Sequence, residues 1–289
     1  MFLRFLMSGG VRVKKVAVIP NISKDKDLTV TKKVIKSLER YTKVCVEKSL
    51  VGDLFSGYAK DNAVCNSDCA IVIGGDGTIL KAAYDCAKAN IPILGVNLGR
   101  IGFMTEVEIA DIDEAVDSLI KGDFITEERM MLKAEFQVSG KTRIFHALND
   151  VVISKTDNAK LINMDLFSGQ DMINRYIADG LIISTPTGST GYSLSAGGPV
   201  VNPLMKLFVA TPMCAHMLTA RPAVMPADEE LRVVLNSDDN NSALITIDGE
   251  VLGKIYDSEE IKITKSRYKT KIIKIKKQSF YSVFTGKLS

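Results

Sequence analysis

Residues 69–78 form an apolar run that ends in a glycine-rich turn. Cys69–Ile73 is continuously apolar, which is typical of a parallel strand buried on both faces of a sheet. The turn Gly74-Gly75-Asp76-Gly77-Thr78 follows it. Ile79–Ala89, rich in alanine, then predicts a helix. A strand that runs through a tight turn into a helix is the repeating unit of an open α/β sheet.

The first 120 or so residues repeat this alternation. Short β-branched or apolar runs at Val16–Pro20, Val44–Val46 and Ile91–Val96 predict further strands. Apolar residues at helical spacing predict helices over Val30–Tyr41 and Ala110–Lys121, the second closed by Gly122. The N-terminal part is therefore predicted to be an α/β domain with a parallel sheet.

The pattern changes after about residue 125. Short apolar runs are now separated by clusters of Gly, Asn, Asp, Ser and Pro, which is typical of an all-β domain with two packed sheets. The predicted strands lie at 132–138, 144–153, 161–167, 181–185, 208–211, 231–235, 243–247, 261–264 and 272–275. A chain of 289 residues has room for these two domains, at roughly 150 residues each.

Composition excludes several classes of partner. The net charge of +3 is too small to indicate nucleic acid by itself, and apolar stretches fall short of the roughly 20 residues of a membrane span. Five cysteines, an odd number without a dense framework, favour a reducing cytoplasm. Only His146 and His216 are present, so no His-rich metal centre is expected, and we predict no metal ligated by the protein alone.

The Gly74–Thr78 turn predicts a phosphate site. Glycines let a ligand approach the backbone, and the free N–H groups at a helix N-terminus attract anions. The turn lacks the Gly-Lys-Ser/Thr of a Walker loop and the Gly-x-Gly-x-x-Gly of a dinucleotide fingerprint. Asp76, beside bound phosphates, could act as a general base toward an attacking hydroxyl or could bind ribose hydroxyls, and the residues alone leave both roles open.

Three further motifs carry polar groups next to predicted strands. The motif Asp179–Pro199 contains a buried strand and then a stretch, Ser184–Ser195, that is rich in Ser, Thr and Gly, which suits recognition of a nucleoside. Asn149-Asp150 interrupts the apolar run Ala147–Ile153, so at least one of the two side chains should be buried or face a ligand. Thr246–Glu250 reads as a strand that ends in a tight turn.

Together, these four motifs in this order resemble those of bacterial NAD kinases, over nearly the whole chain. His216–Pro222 also matches a segment of that family. The resemblance implies a Rossmann-like N-terminal domain, residues 1–124, rejoined by residues 275–289, and a C-terminal β-sandwich domain, residues 125–274. It implies transfer of the ATP γ-phosphate, with Mg²⁺ or another divalent metal carried by ATP, to the 2′-hydroxyl of the adenosine ribose of NAD. It further implies a homo-oligomer, a tetramer or a dimer.

The resemblance also implies roles for particular residues. Asp76 would accept the proton, and Gly74, Gly75 and Thr78 would form the phosphate loop. The residues implied to contact the substrates are Asp76, Gly77, Asn149, Asp150, Lys160, Asp179, Thr190, Gly191, Tyr192, Ser193, Ser195 and Glu250.

The chain departs from the family pattern at a few of these positions. Gly191 stands where alanine is frequent, and Glu250 stands where glutamine is frequent. Two other readings stay open: a sensor that binds NAD or NADP without catalysis, and a lipid kinase of the same superfamily. The phosphate donor, the choice between NAD and NADH, and feedback regulation are also left open by the residues.

Overall fold

The computed structural model describes residues 13–48, 55, 57–99, 102–156, 160–217, 219–236, 242–276 and 279–288. It divides the chain into two compact units, one made of Met1–Glu128 with Lys269–Ser289, the other of Arg129–Tyr268. Among the described residues, no helix combines the length and apolar character that a membrane crossing requires.

The first unit alternates strands and helices. Its elements are β1 (Lys15–Pro20), α1 (Thr29–Leu38), β2 (Lys43–Glu47), β3 (Ala59–Lys60), β4 (Cys69–Gly74), α2 (Asp76–Lys88), β5 (Ile93–Asn97), α3 (Ile112–Lys121) and α5 (Phe280–Leu288). Two long strands, β6 (Ile125–Val138) and β17 (Glu260–Lys274), begin in one unit and end in the other.

A parallel sheet forms the centre of this unit, in the order β5-β4-β1-β2-β3. Every residue of β4 and β5 is buried, which is why these strands read as continuous apolar runs. Ile272 of β17 pairs in parallel with Ile93. Segments that follow β1, β4 and β5 therefore all leave the same edge of the sheet, where open α/β proteins bind ligands.

The second unit is built from antiparallel strands. Besides parts of β6 and β17, they are β7 (Lys141–Ala147), β8 (Asp150–Lys155), β9 (Ile162–Ser168), β10 (Asp171–Ala178), β11 (Gly180–Ser184), β12 (Leu207–Met213), β13 (Ala223–Pro226), β14 (Leu231–Asn236), β15 (Ala243–Ile247) and β16 (Glu250–Ile255). One short helix, α4 (Tyr192–Ser195), follows β11.

Two sheets of this unit pack across a shared core. One has the order β13-β12-β11-β8-β15-β16, and the other contains β10-β9-β14-β17. Alternate residues of both enter a single apolar cluster, among them Ile153, Leu166, Ile183, Val233 and Ile245. The expected class, an α/β domain with a parallel sheet and an all-β sandwich, is confirmed.

The strand predictions are wrong in two places. The runs 261–264 and 272–275, predicted as separate strands, are parts of one continuous strand, β17. The run 144–153 is two strands, β7 and β8, separated at Leu148 and Asn149. The break arises because the backbone N–H groups of residues 148 and 149 donate to the side chain of Asp248 instead of to a neighbouring strand.

Candidate functional site

The predicted phosphate loop lies where β4 passes into α2. Gly75 is the residue before the helix, with an extended backbone, and Asp76 is the first helical residue. Asp76 is half-buried and Gly77 is exposed. The N–H of Thr78 donates to the Gly75 carbonyl at 2.8 Å, and the exposed Gly77 is the part of the first helical turn that a ligand can approach next to the carboxylate.

The Asp76 carboxylate is anchored by a separate segment of the same unit. Its Oδ2 accepts the backbone N–H of Phe103 at 2.7 Å. Its Oδ1 accepts the N–H groups of Met104 and Thr105 at 3.1 and 3.2 Å. An ionised carboxylate offers about four acceptor positions, two on each oxygen. Among the described residues, backbone N–H groups fill three of these positions, which leaves one position on Oδ2 for a ligand.

Gly102 allows this close approach. A Cβ at position 102 would lie 2.6 Å from Asp76 Oδ2 and closer still to Oδ1. Any side chain here would push the carboxylate off its three donors. The turn itself is closed by a hydrogen bond from Gly102 N to Thr105 Oγ1 at 2.8 Å.

The residues that flank the loop are also fixed. Thr78 is buried, and its Oγ1 accepts a hydrogen bond from Asn21 Nδ2 at 2.8 Å. A Cβ at Gly74 would lie 2.7 Å from the Thr78 Cβ, so Gly74 must be glycine. The exposed Lys24 brings its Nζ to 3.7 Å from where a Gly75 Cβ would be. Sequence reasoning missed Asn21 and Lys24, whose signal is their position directly after β1.

In the second unit, Asp248 organises the Asn149-Asp150 motif. Asp248 lies in the turn between β15 and β16 with a left-handed backbone, φ 48°. Its Oδ2 accepts the N–H of Leu148 at 2.8 Å, and its Oδ1 accepts those of Asn149 and Asp150 at 2.7 and 3.2 Å. Sequence reasoning placed Glu250 in the site and missed Asp248, although both belong to the same motif. Glu250 is exposed.

Both side chains of the motif are held in a polar but largely dry setting. Asp150 is 5% exposed, and burial, helped by the nearby charge of Asp248, raises its pKa to about 7. Burial also raises the pKa of Asp248, against the lowering effect of its three backbone donors. The Oδ1 atom of Asn149 is buried and has no hydrogen-bond partner among the described residues. An unmet acceptor of this kind is costly unless a ligand donates to it.

The raised pKa of Asp150 gives a pH-dependent prediction. Folded protein keeps this proton up to about pH 7, whereas the unfolded chain loses it near 3.8, so the free energy of unfolding falls as pH rises through that window. Asp150→Asn removes the penalty. Relative to wild type, we expect its stability gain to grow by about 2 kcal/mol between about pH 5 and pH 8, measured by urea unfolding.

A matched control is Asp171→Asn, an exposed carboxylate in the same unit. Its stability relative to wild type should not change with pH. An Asp150→Asn gain that is equal at both pH values would contradict the assignment.

The segment after β11 turns sharply and packs its small side chains inward. Ser189 Oγ donates to the carbonyl of Pro186 at 2.7 Å and accepts the N–H of Val201 at 3.1 Å. Ser193 shares a buried hydrogen bond of 2.8 Å with Thr211. The buried hydroxyls thus hold the turn. A different set faces outward: Tyr192 and Ser195 are exposed, and Thr190 is half-buried.

This turn lies directly against the Asn149 backbone. Thr185 donates its N–H to the Asn149 carbonyl at 2.8 Å. A Cβ at Gly188 would lie 2.8 Å from the Asn149 Cα and closer to the carbonyl. A Cβ at Gly191 would meet only ordinary to tight contacts, 3.4 Å from Asn149 Nδ2. The structure thus brings two of the predicted segments, 149–150 and 188–193, together.

Asp179 pairs with a lysine that sequence reasoning did not select. Asp179 forms an ion pair with Lys155, Nζ to Oδ1 2.5 Å, and both side chains are partly exposed. Sequence reasoning chose Lys160, which is exposed just before β9, and missed Lys155. The ion pair between Lys155 and Asp179 could be predicted only from the register of β8 and β11, which are neighbouring strands.

His216 lies beside a cavity of about 370 Å³ within the second unit. Its lining includes Gly197, Cys214, Met217 and Arg221. The segment that resembles the family therefore borders a concave surface next to α4. In the described ranges, no group of three or more His, Cys, Asp or Glu side chains is arranged to hold a metal ion.

Comparison with known proteins places this chain in a family. Residues 16–124 match the ATP-NAD kinase N-terminal domain, and residues 148–275 match the ATP-NAD kinase C-terminal domain. An NAD kinase of Thermoanaerobacter is 40% identical over 283 residues, which is 96% of this chain and 99% of that protein.

Two crystal structures share the fold. An NAD kinase from Archaeoglobus fulgidus in complex with ATP has a TM-score of 0.73 and 25% identity, covering 95% of this chain and 98% of that one. Yeast NADH kinase complexed with NADH has a TM-score of 0.82 at 22% identity, covering 95% and 86%. With both family domains matched and a relative 40% identical over almost its full length, the chain belongs to the NAD kinase family.

Proposed function

We propose that this NAD kinase transfers the γ-phosphate of ATP to the 2′-hydroxyl of the adenosine ribose of NAD, giving NADP and ADP. The 2′-oxygen forms a bond to the γ-phosphorus, and the bond from that phosphorus to the bridging oxygen of ATP breaks. The proton of the hydroxyl passes to Asp76. Because the transition state of such transfers is loose, positioning and charge neutralisation account for most of the acceleration.

The observation that carries this proposal is the hydrogen bonding of the Asp76 carboxylate. Three backbone donors fix its position, and one acceptor position on Oδ2 is left for a hydroxyl. A general base must lie within hydrogen-bond reach of the proton it removes, in a fixed orientation. Gly77, which is exposed in the first turn of α2, lies next to it, and a helix N-terminus suits a phosphate.

The second unit supplies groups for the nucleosides. We assign the adenosine contact to Asn149 and Asp150, supported by the buried Asn149 Oδ1 that lacks a donor. The adenine pocket is assigned to the turn of residues 190–195, including Gly191 and Ser193, supported by its exposed Tyr192 and Ser195. We assign the nicotinamide-side nucleoside to Asp179, and secondary contacts to Lys160 and Glu250, as the resemblance implies.

Other features complete the proposal. Mg²⁺ or another divalent ion enters with ATP as part of the substrate. We place the enzyme in the cytoplasm, in the biosynthesis of NADP, because its five cysteines are unpaired. Domain boundaries near residues 124 and 275 and a homo-oligomeric state, a tetramer or a dimer, belong to the same proposal.

A coupled assay tests the function. Purified protein is incubated with NAD or NADH, Mg²⁺ and one donor at a time: ATP, another triphosphate or polyphosphate. NADP or NADPH is then measured with an enzyme specific for the phosphorylated dinucleotide. We expect NADP from NAD and ATP. If the folded protein binds NAD but forms no product with any donor, the result would favour a sensor over a kinase. Phosphorylation of extracted lipid instead of NAD would indicate a lipid kinase.

A further inference from the structure

The segment that anchors Asp76 is itself held by the C-terminal part of the chain. Phe103, Met104 and Thr105 donate to the carboxylate. Both ends of this short stretch contact residues of the C-terminal part, among them Ile275 and Phe284. All of these contacts lie within the first unit.

At one end, Glu106 binds the chain that leaves β17. Glu106 is 5% exposed. Its Oε1 accepts the backbone N–H of Ile275 at 2.8 Å and that of Lys276. Its Oε2 lies 2.8 Å from the Nζ of Lys274, and both side chains are nearly dry. Separating this buried carboxylate from its partners would cost free energy, because an unpaired charge would be left in the interior.

At the other end, Phe103 packs on α5. Its ring centroid lies 6.2 Å from that of Phe280 and 6.4 Å from that of Phe284. The Phe280 and Phe284 rings stack on each other at 6.2 Å, as expected of aromatic side chains four residues apart on a helix. Phe103 also gives the shortest of the three hydrogen bonds to Asp76.

We propose that the C-terminal segment, residues 274–276 and 279–284, is a positioning element for Asp76. It keeps the three N–H donors of residues 103–105 in place, and the donors in turn fix the direction of the open position on Oδ2. The inference rests on the proposed function for its effect on catalysis. The structural part of the inference, that α5 holds the three donors, rests only on the contacts described above.

Phe284→Ala tests the inference. The unit should still fold in this variant, because Phe284 is only half-buried. We expect kcat to fall roughly tenfold, since small displacements of a catalytic group are costly, with the KM values for NAD and ATP nearly unchanged. Hydrogen exchange at the amides of residues 103–105 should become faster. Phe284→Leu, which keeps apolar volume, should restore most of both. Tyr41→Ala removes an exposed ring from another part of the same unit and should change neither.

A double-mutant cycle separates positioning from general stability. In an Asp76→Asn background, Phe284→Ala should lower kcat no further, because it acts through the missing carboxylate. Independent, multiplying losses would overturn the proposal, as would unchanged exchange at residues 103–105 in Phe284→Ala. If wild-type protein makes no NADP, the proposed function fails, while the exchange measurement still decides whether α5 holds the donors.

Discussion

Asp76→Asn is expected to lower kcat by roughly 100-fold or more while NAD still binds. General-base catalysis contributes about 10²–10⁴ in such reactions. An amide oxygen can keep the N–H groups of Met104 and Thr105, but the amide nitrogen then faces the N–H of Phe103. The variant therefore loses the proposed proton acceptor and one of three anchoring bonds. Steady-state kinetics and calorimetric binding of NAD measure the two effects.

Asp68→Asn is the matched control. Asp68 also accepts two backbone N–H groups, from Lys14 and Lys15 at 2.8 and 2.9 Å, but lies just before β4 and not just after it. Its kcat should stay within about twofold of wild type, because it removes the same kind of bond away from the loop. Near-normal turnover of Asp76→Asn would leave Asp76 as a ribose ligand only.

Gly188→Ala is expected to destabilise the second unit by about 2–3 kcal/mol and to abolish most NAD binding. The added methyl group would overlap the Asn149 carbonyl, so either the turn or the β8 entry must move. Backbone cannot move aside as a side chain can. Urea unfolding and calorimetric titration with NAD measure the two losses.

Gly191→Ala, three residues along the same turn, is the comparison. Its Cβ would lie 3.3 Å from the Gly188 carbonyl and 3.4 Å from Asn149 Nδ2, contacts that small shifts relieve. Stability and NAD binding should stay close to wild type. Equal losses in both variants would refute the distinction between the two glycines.

The sequence predicted the framework well, because each strand buried on both faces is a continuous apolar run. β4, β5 and the start of α2 were found within a few residues for this reason. Edge strands such as β10 were missed, since its exposed residues, Met172 and Ile173 among them, break the alternation that predicts a strand.

Site residues were predictable only where a motif is local. Asp76 and Asn149 stand out because polar groups interrupt apolar runs. Gly102, Asp248 and Lys155 were missed because their importance comes from contacts between segments far apart in the chain. A glycine that touches a carboxylate 26 residues earlier leaves no periodic signal.

The Asp248 cap also sets an order of events during synthesis. Its three N–H partners lie 98 to 100 residues before it. At translation rates of about 5–20 residues per second, the 148–150 backbone waits roughly 5–20 s for the residue that completes its hydrogen bonds. Until then, the N–H groups at the start of β8 lack their Asp248 partner, and β15, the neighbour of β8 in the sheet, has not yet been synthesised. The backbone of residues 148–150 therefore completes its hydrogen bonds only after Asp248 has been synthesised.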